Sequence, residues 1–167
     1  MNSEIATRVL ISAIASSPPT VNPRHPLDPC VKKAITAMKI STPAFANISS
    51  FPARFNIISP RWPRLLSWIV ALLQSLDVYE TAHPLDRDTT DSCTACIHAV
   101  MSFLNTIGPI HNGNNADKST FFTKLMASPR FVKALARLWI LAFKLPWRKS
   151  THQEVVTFLD WFGDTSS

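Results

Sequence analysis

The sequence predicts an all-α protein, an irregular stack of six to seven helices in the manner of armadillo or HEAT proteins. Three observations carry this expectation. Nine of the 13 prolines lie at or before Pro63, and the later ones leave windows 64–83, 85–108, 110–128, 130–145 and 147–167. Each is wide enough for a helix, and a proline inside a helix would remove a hydrogen bond and clash with the preceding turn. Within most of these windows apolar residues recur three and four positions apart, the period of one helix face. No segment alternates polar and apolar residues as a half-buried strand does.

Taken in order, the stretch before Pro60 reads as short helices at Glu4–Ala15, Asp28–Ile40 and Pro43–Ser50, separated by linkers such as Ser17-Pro18-Pro19 and Asn22-Pro23. Pro63–Val78 is apolar nearly all round, which predicts the central helix. Its most hydrophobic run, Leu65–Leu76, falls short of the roughly 20 residues a membrane span needs, so it reads as core. From Cys93, the residues Cys96, Ile97, Val100, Met101, Leu104 and Ile107 continue one stripe that Gly108-Pro109 ends. Phe131, Leu135, Leu138, Trp139, Ala142 and Leu145 make a second stripe, closed by Pro146. Val155, Phe158, Leu159 and Phe162 make a third, with a Thr151-x-x-Glu154 capping box before it and Gly163 as C-cap. Residues 1–24 form a short helix and Pro-rich linker, open to being mobile; 25–163 form the helical domain and 164–167 a tail.

Two local similarities invite a repeat reading. Ser59-Pro60-Arg61-Trp62 and Ser128-Pro129-Arg130-Phe131 both open an apolar helix, with Ser at the N-cap and Pro at the first helical position. His25-Pro26-Leu27-Asp28 recurs at His83-Pro84-Leu85-Asp86. The two pairs are separated by different offsets, so strict periodicity fails and shared capping chemistry explains them better.

Composition narrows function further. Only 3 glycines are present, where average usage of about 7% predicts about 12. Neither a dinucleotide-binding nor a P-loop glycine pattern can be written with Gly108, Gly113 and Gly163, and no nucleophile elbow occurs. The net charge is +6, arranged basic, acidic, basic along the chain. Residues 1–64 carry eight Lys/Arg and two acids, 65–98 one and five, and 99–167 eight and four. Lys32-Lys33 and Arg148-Lys149 are the only basic doublets, which falls short of a polybasic tract. A soluble domain with a modest charge excess is the plain reading, and weak nucleic-acid binding through a basic surface is the alternative.

The 3 cysteines make an odd count in a chain large enough to do without disulfides, which points to a reducing compartment, cytoplasmic or nuclear. The apolar run Val9–Ala15 after Arg8 loosely imitates a signal peptide. Glu4 spoils its positive start and the run is short, so a cleaved signal is not expected. The Asn47-Ile48-Ser49 sequon would matter only in a secreted chain.

Cys93-Thr94-Ala95-Cys96, with His98 nearby and His111 further on, is the only spacing that resembles a metal site. No second ligand pair follows, and at about 100° per residue His98 lies on the helix face opposite the two cysteines. Two small core residues are expected, with a metal or redox site at Cys93 and Cys96 as the alternative and no cofactor. The histidines, serines and the acids Asp86, Asp88 and Asp91 fit no catalytic spacing. Those acids mark a helix start, where negative charge favours the macrodipole. The expectation is therefore not an enzyme.

Of the tryptophans, Trp62, Trp68, Trp139 and Trp161 are expected mainly as core ridges between helices. Trp147 with Arg148 and Lys149, just past Pro146, reads as an interface anchor. Arg61, Arg64 and Arg130 place positive charge near helix N-termini at a small cost, with a partner contact as the alternative reading. The expected partner is another protein, with no small-molecule substrate indicated.

The spacing Trp62-Pro63-x-x-x-x-Trp68 into an apolar helix, then a polar helix pair, then Ser128-Pro129-x-x-Val132 ending in Arg137-Leu138-Trp139, resembles the helical region of large basidiomycete proteins that carry a MYND-type zinc finger. The resemblance covers roughly residues 58–145. It implies a helical scaffold. The finger's paired C-x-x-C and Cys/His ligands do not occur here, so no zinc ligand is carried over to this chain.

Overall fold

The computed structural model describes residues 2–78, 86–109, 114–142 and 149–165. Among them every regular element is helical. Helix α1 spans Ser3–Ala13, α2 Pro29–Ala46, α3 Phe51–Ile58 and α4 Trp62–Leu73. Helix α5 spans Arg87–Ile107, α6 Asn115–Met126, α7 Pro129–Leu141 and α8 Lys149–Thr165. Side-chain oxygens of Asn2, Asp28, Ser50, Asp86, Asn114 and Ser128 accept from backbone N–H groups that begin α1, α2, α3, α5, α6 and α7. Each satisfies a donor the helix itself cannot pair.

Local differences from the sequence reading have physical causes. Helix α2 runs straight through Pro43, so Asp28–Ile40 and Pro43–Ser50 are not two helices. Pro43 and Lys39, the residue whose carbonyl loses its partner, are both exposed, so the missing bond falls on the solvent side of the helix, where its cost is least. Ser59 does not cap α4: Ser59–Arg61 is a 3-10 turn, the Ser59 hydroxyl donates to the Asn56 carbonyl, and α4 begins at Trp62. Thr151 is buried inside α8, whose start at Lys149 precedes it, and Glu154 is drawn away to Asn105. Gly163 lies within α8 and is not its C-cap.

The hub of the stack is α5, not α4. Helix α5 packs against α2, α8, α4 and α3, while α1 packs on α2. A helix enclosed from several sides needs more than one apolar stripe. Accordingly Ala99 and Phe103 are buried along with the stripe from Cys93 to Ile107. Phe45 of α2 and Phe103 of α5, both fully buried, meet edge to face at 6.0 Å between ring centroids.

Helix α4 is buried at Trp62, Leu65, Leu66 and the run Trp68–Leu73, as its sequence predicts. It keeps one exposed strip, Pro63, Arg64, Ser67 and, just beyond, Gln74. A second focus of packing is Phe121 of α6, whose ring lies 5.7 Å from Phe51, 6.3 Å from Phe55, 5.9 Å from Trp62 and 5.7 Å from Trp161. That one ring therefore joins α3, α4 and α8 to α6.

Candidate partner-docking face

Cys93 and Cys96 are both fully buried on α5. The Cys93 thiol donates to the Ser75 carbonyl at 3.2 Å. Burial, with the neighbouring Cys93 adding to it, pushes the Cys96 thiol up to about 12. Among the described residues, no three His, Cys, Asp or Glu side chains gather as a metal-ligand group. His98 stands on the part-exposed side of α5, its Nδ1 buried without a partner beside Lys39 and Ser102 in a shallow cavity of about 210 Å³. His111 lies outside the described residues.

Asp86 caps α5 through the Thr89 backbone and hydroxyl at 2.8 and 2.7 Å, and these bonds hold its carboxyl below the usual range. Asp91 lies 3.9 Å from Arg87. These acids begin a helix, as their spacing predicts.

The aromatic expectations divide. Trp62, Trp68 and Trp161 are buried. Trp139 is 48% exposed, against its expected core role. Relative to Phe131 it sits about 80° round α7, at the edge of the stripe, where its ring lies 3.6 Å from the point a Cβ on Gly163 of α8 would occupy. Ile140 beside it is 60% exposed. Trp147 and Arg148 lie outside the described residues. Lys149 is exposed at the start of α8. Arg61 ends the 3-10 turn, exposed, and the exposed Arg64 donates to the Ser17 hydroxyl at 2.8 Å.

That last bond helps place the N-terminal linker across α4. The indole of Trp68 does the same from inside, donating to the Ser16 carbonyl at 2.9 Å. The linker so held becomes one wall of a groove of about 790 Å³. Its floor is the exposed strip of α4 at Pro63, Ser67 and Gln74, with the nearly buried Leu66 and Val70 beneath; Pro18, Pro19 and Thr20 form one side, and Ser128 with Arg130 the other. The groove continues past Val70 and Gln74 into a section of about 410 Å³ lined by Lys133, Arg137 and Asp77. A third section, about 390 Å³, leads from Gln74 and Asp77 to Arg24.

Arg130, Lys133 and Arg137 stand three and four positions apart, so one face of α7 presents them together. Arg137 is paired with Asp77. Arg130 and Lys133 are exposed and pair with no carboxylate among the described residues. The sequence singles out Arg130 as a contact candidate and places Arg137 only in the resemblance pattern, with no role for Lys133. Their helical spacing was visible; the groove they border depends on where α4 and the linker pack.

No helix among the described residues is long and apolar enough to cross a membrane. No family model, no curated protein and no solved structure matches the chain.

Proposed function

We propose that the chain is a non-catalytic helical module that holds another protein, an armadillo-like scaffold akin to the helical region of MYND-type zinc finger proteins without the finger. The observation that supports this reading is the groove along α4. It is long and open, walled by a pinned linker and a helix, a form that suits a polypeptide segment better than a compact metabolite. The cysteines Cys30, Cys93 and Cys96 form no disulfide, which suits the cytoplasm or nucleus. Trp147, Arg148, Lys149, Arg61 and Arg64 remain proposed as interface side chains.

The basic wall also favours a second reading, a weak nucleic-acid binder. Affinity capture on the tagged full chain, followed by chemical cross-linking and mass spectrometry, separates the two. A cross-linked protein that survives nuclease treatment is the expected result. Recovery of nucleic acid alone, released by added salt, contradicts the scaffold reading.

A further inference from the structure

We propose that the α4 groove is a docking site for an acidic, extended protein segment, with Arg130 and Lys133 as its charge-reading residues. This rests on the protein-holding function proposed above and specifies the chemistry of the partner. Three features of the surface argue for that occupant.

The first is charge. Arg130 and Lys133 project from α7 beside the groove, neither paired with a carboxylate among the described residues, and Arg64 and Arg24 lie at its margins. Among the described residues the lining carries one acid, Asp77, which is already engaged by Arg137. A negatively charged ligand meets an attractive field along this wall, and a positively charged one is repelled.

The second is length. From Leu66 to Asp77 the floor runs about 16 Å at the helical rise, room for about five residues of extended chain. Arg130 and Lys133 are about 4.5 Å apart along the α7 axis, and their long side chains splay. Carboxylates on alternate residues of an extended segment, about 6.6 Å apart on one side, fall within their reach. The intervening side chains point the opposite way.

The third is the mixed floor. Pro63 on α4, with Pro18, Pro19 and Pro129 beside it, offers apolar surface next to the polar Ser67 and Gln74, above the nearly buried Leu66, Val70 and Ala71. A segment alternating acidic and small apolar residues would set its carboxylates on the α7 wall and its apolar side chains on α4. A phosphodiester backbone would match the wall but leave the apolar floor unused, so the floor favours a peptide.

The test is fluorescence anisotropy with a labelled peptide of alternating glutamate and valine, about five residues long to match the groove. A lysine-for-glutamate version and an oligothymidylate of similar length serve as comparison probes. The full chain should bind the acidic peptide, more weakly as salt rises, and prefer it to both others. The double variant Arg130→Glu with Lys133→Glu should lose at least about tenfold in affinity, while Lys32→Glu on α2 leaves binding unchanged. Both altered positions are exposed, and an unchanged melting temperature verifies folding. Should the charge reversals unfold the chain, Arg130→Gln with Lys133→Gln should still weaken binding by about threefold or more.

Absence of salt-sensitive binding, equal loss with Lys32→Glu, or tighter binding of oligothymidylate would each overturn the proposal. If a cross-linked protein partner is held equally well by the double variant, the groove assignment fails and the protein-holding function stands. If no protein partner is recovered at all, the wider function fails with it.

Discussion

The indole of Trp68 is completely buried in α4, yet its Nε1 donates to the Ser16 carbonyl at 2.9 Å. One side chain thus fills the core and fixes where the N-terminal linker crosses the helix. Trp68→Phe keeps most of the ring volume and loses the bond, at an expected cost of about 1–3 kcal/mol where the carbonyl stays unpaired. Its signature is local: hydrogen exchange near residues 16–20 should accelerate more than exchange in α5. A uniform acceleration would mean that the ring acts only through packing.

Phe121 and Gly108 make a second linked pair. A Cβ on Gly108 would lie 2.6 Å from Phe121 Cε1 and 2.9 Å from the Leu104 carbonyl oxygen, closer than real contacts allow. Gly108 has φ of −75°, so space rather than backbone conformation demands glycine. Gly108→Ala should destabilise by about 1–3 kcal/mol as overpacking, and Phe121→Ala by about 3–5 kcal/mol as a cavity among the rings. Denaturant titration measures both. A Gly108→Ala protein as stable as the parent would show that the Phe121 ring can yield.

Arg54 ties two helix ends together. Its Nη1 donates to the Ile48 carbonyl at 2.8 Å, just past α2, and its Nη2 to the Gly108 carbonyl at 3.3 Å, just past α5. Burial lowers its pKa, but a guanidinium stays charged in proteins, and positive charge suits both C-terminal ends. Arg54→Met should cost about 1–3 kcal/mol through two carbonyls left without a donor. Arg54→Lys should recover only part of the loss, because a point donor cannot fork to both.

Cys96 supplies a pH signature. Its thiol is raised from 9.0 to about 12 in the folded chain, so between these values the unfolded form loses the proton and the folded form keeps it. The unfolded state then binds fewer protons, and stability falls as pH rises through this window. The decline of melting temperature above pH 9.0 should be shallower in Cys96→Ala than in the parent. In the native protein, exposed Cys30 should react with a thiol reagent while Cys93 and Cys96 stay protected until unfolding. Rapid labelling of all three would contradict the burial.

Much of the helix content was legible because it rests on local chemistry. The Ser128 cap, the α5 stripe from Cys93 to Ile107 and the apolar run of α4 are written in short-range spacing. What could not be read depends on residues far apart in sequence. Asn105, a polar residue near the end of α5, is buried because its side-chain nitrogen donates to the backbone and carboxylate of Glu154 on α8, at 2.8 and 2.6 Å. That pairing is the reason Glu154 does not close the expected capping box. The effect of Pro43 depends on which helix face meets water, and the half-exposure of Trp139 depends on how the helices pack around the edge of the α7 stripe. The groove was invisible for the same reason: Pro18, Val70 and Arg130 converge only once the linker is pinned.

Competition against a captured protein tests most directly whether the chain works by gripping an acidic segment of a partner. The partner is cross-linked to the full chain for identification, then recaptured without cross-linking and challenged with the glutamate–valine peptide. Release by that peptide, and not by its lysine counterpart, is the result the groove predicts. Retention of the partner at saturating acidic peptide would contradict it.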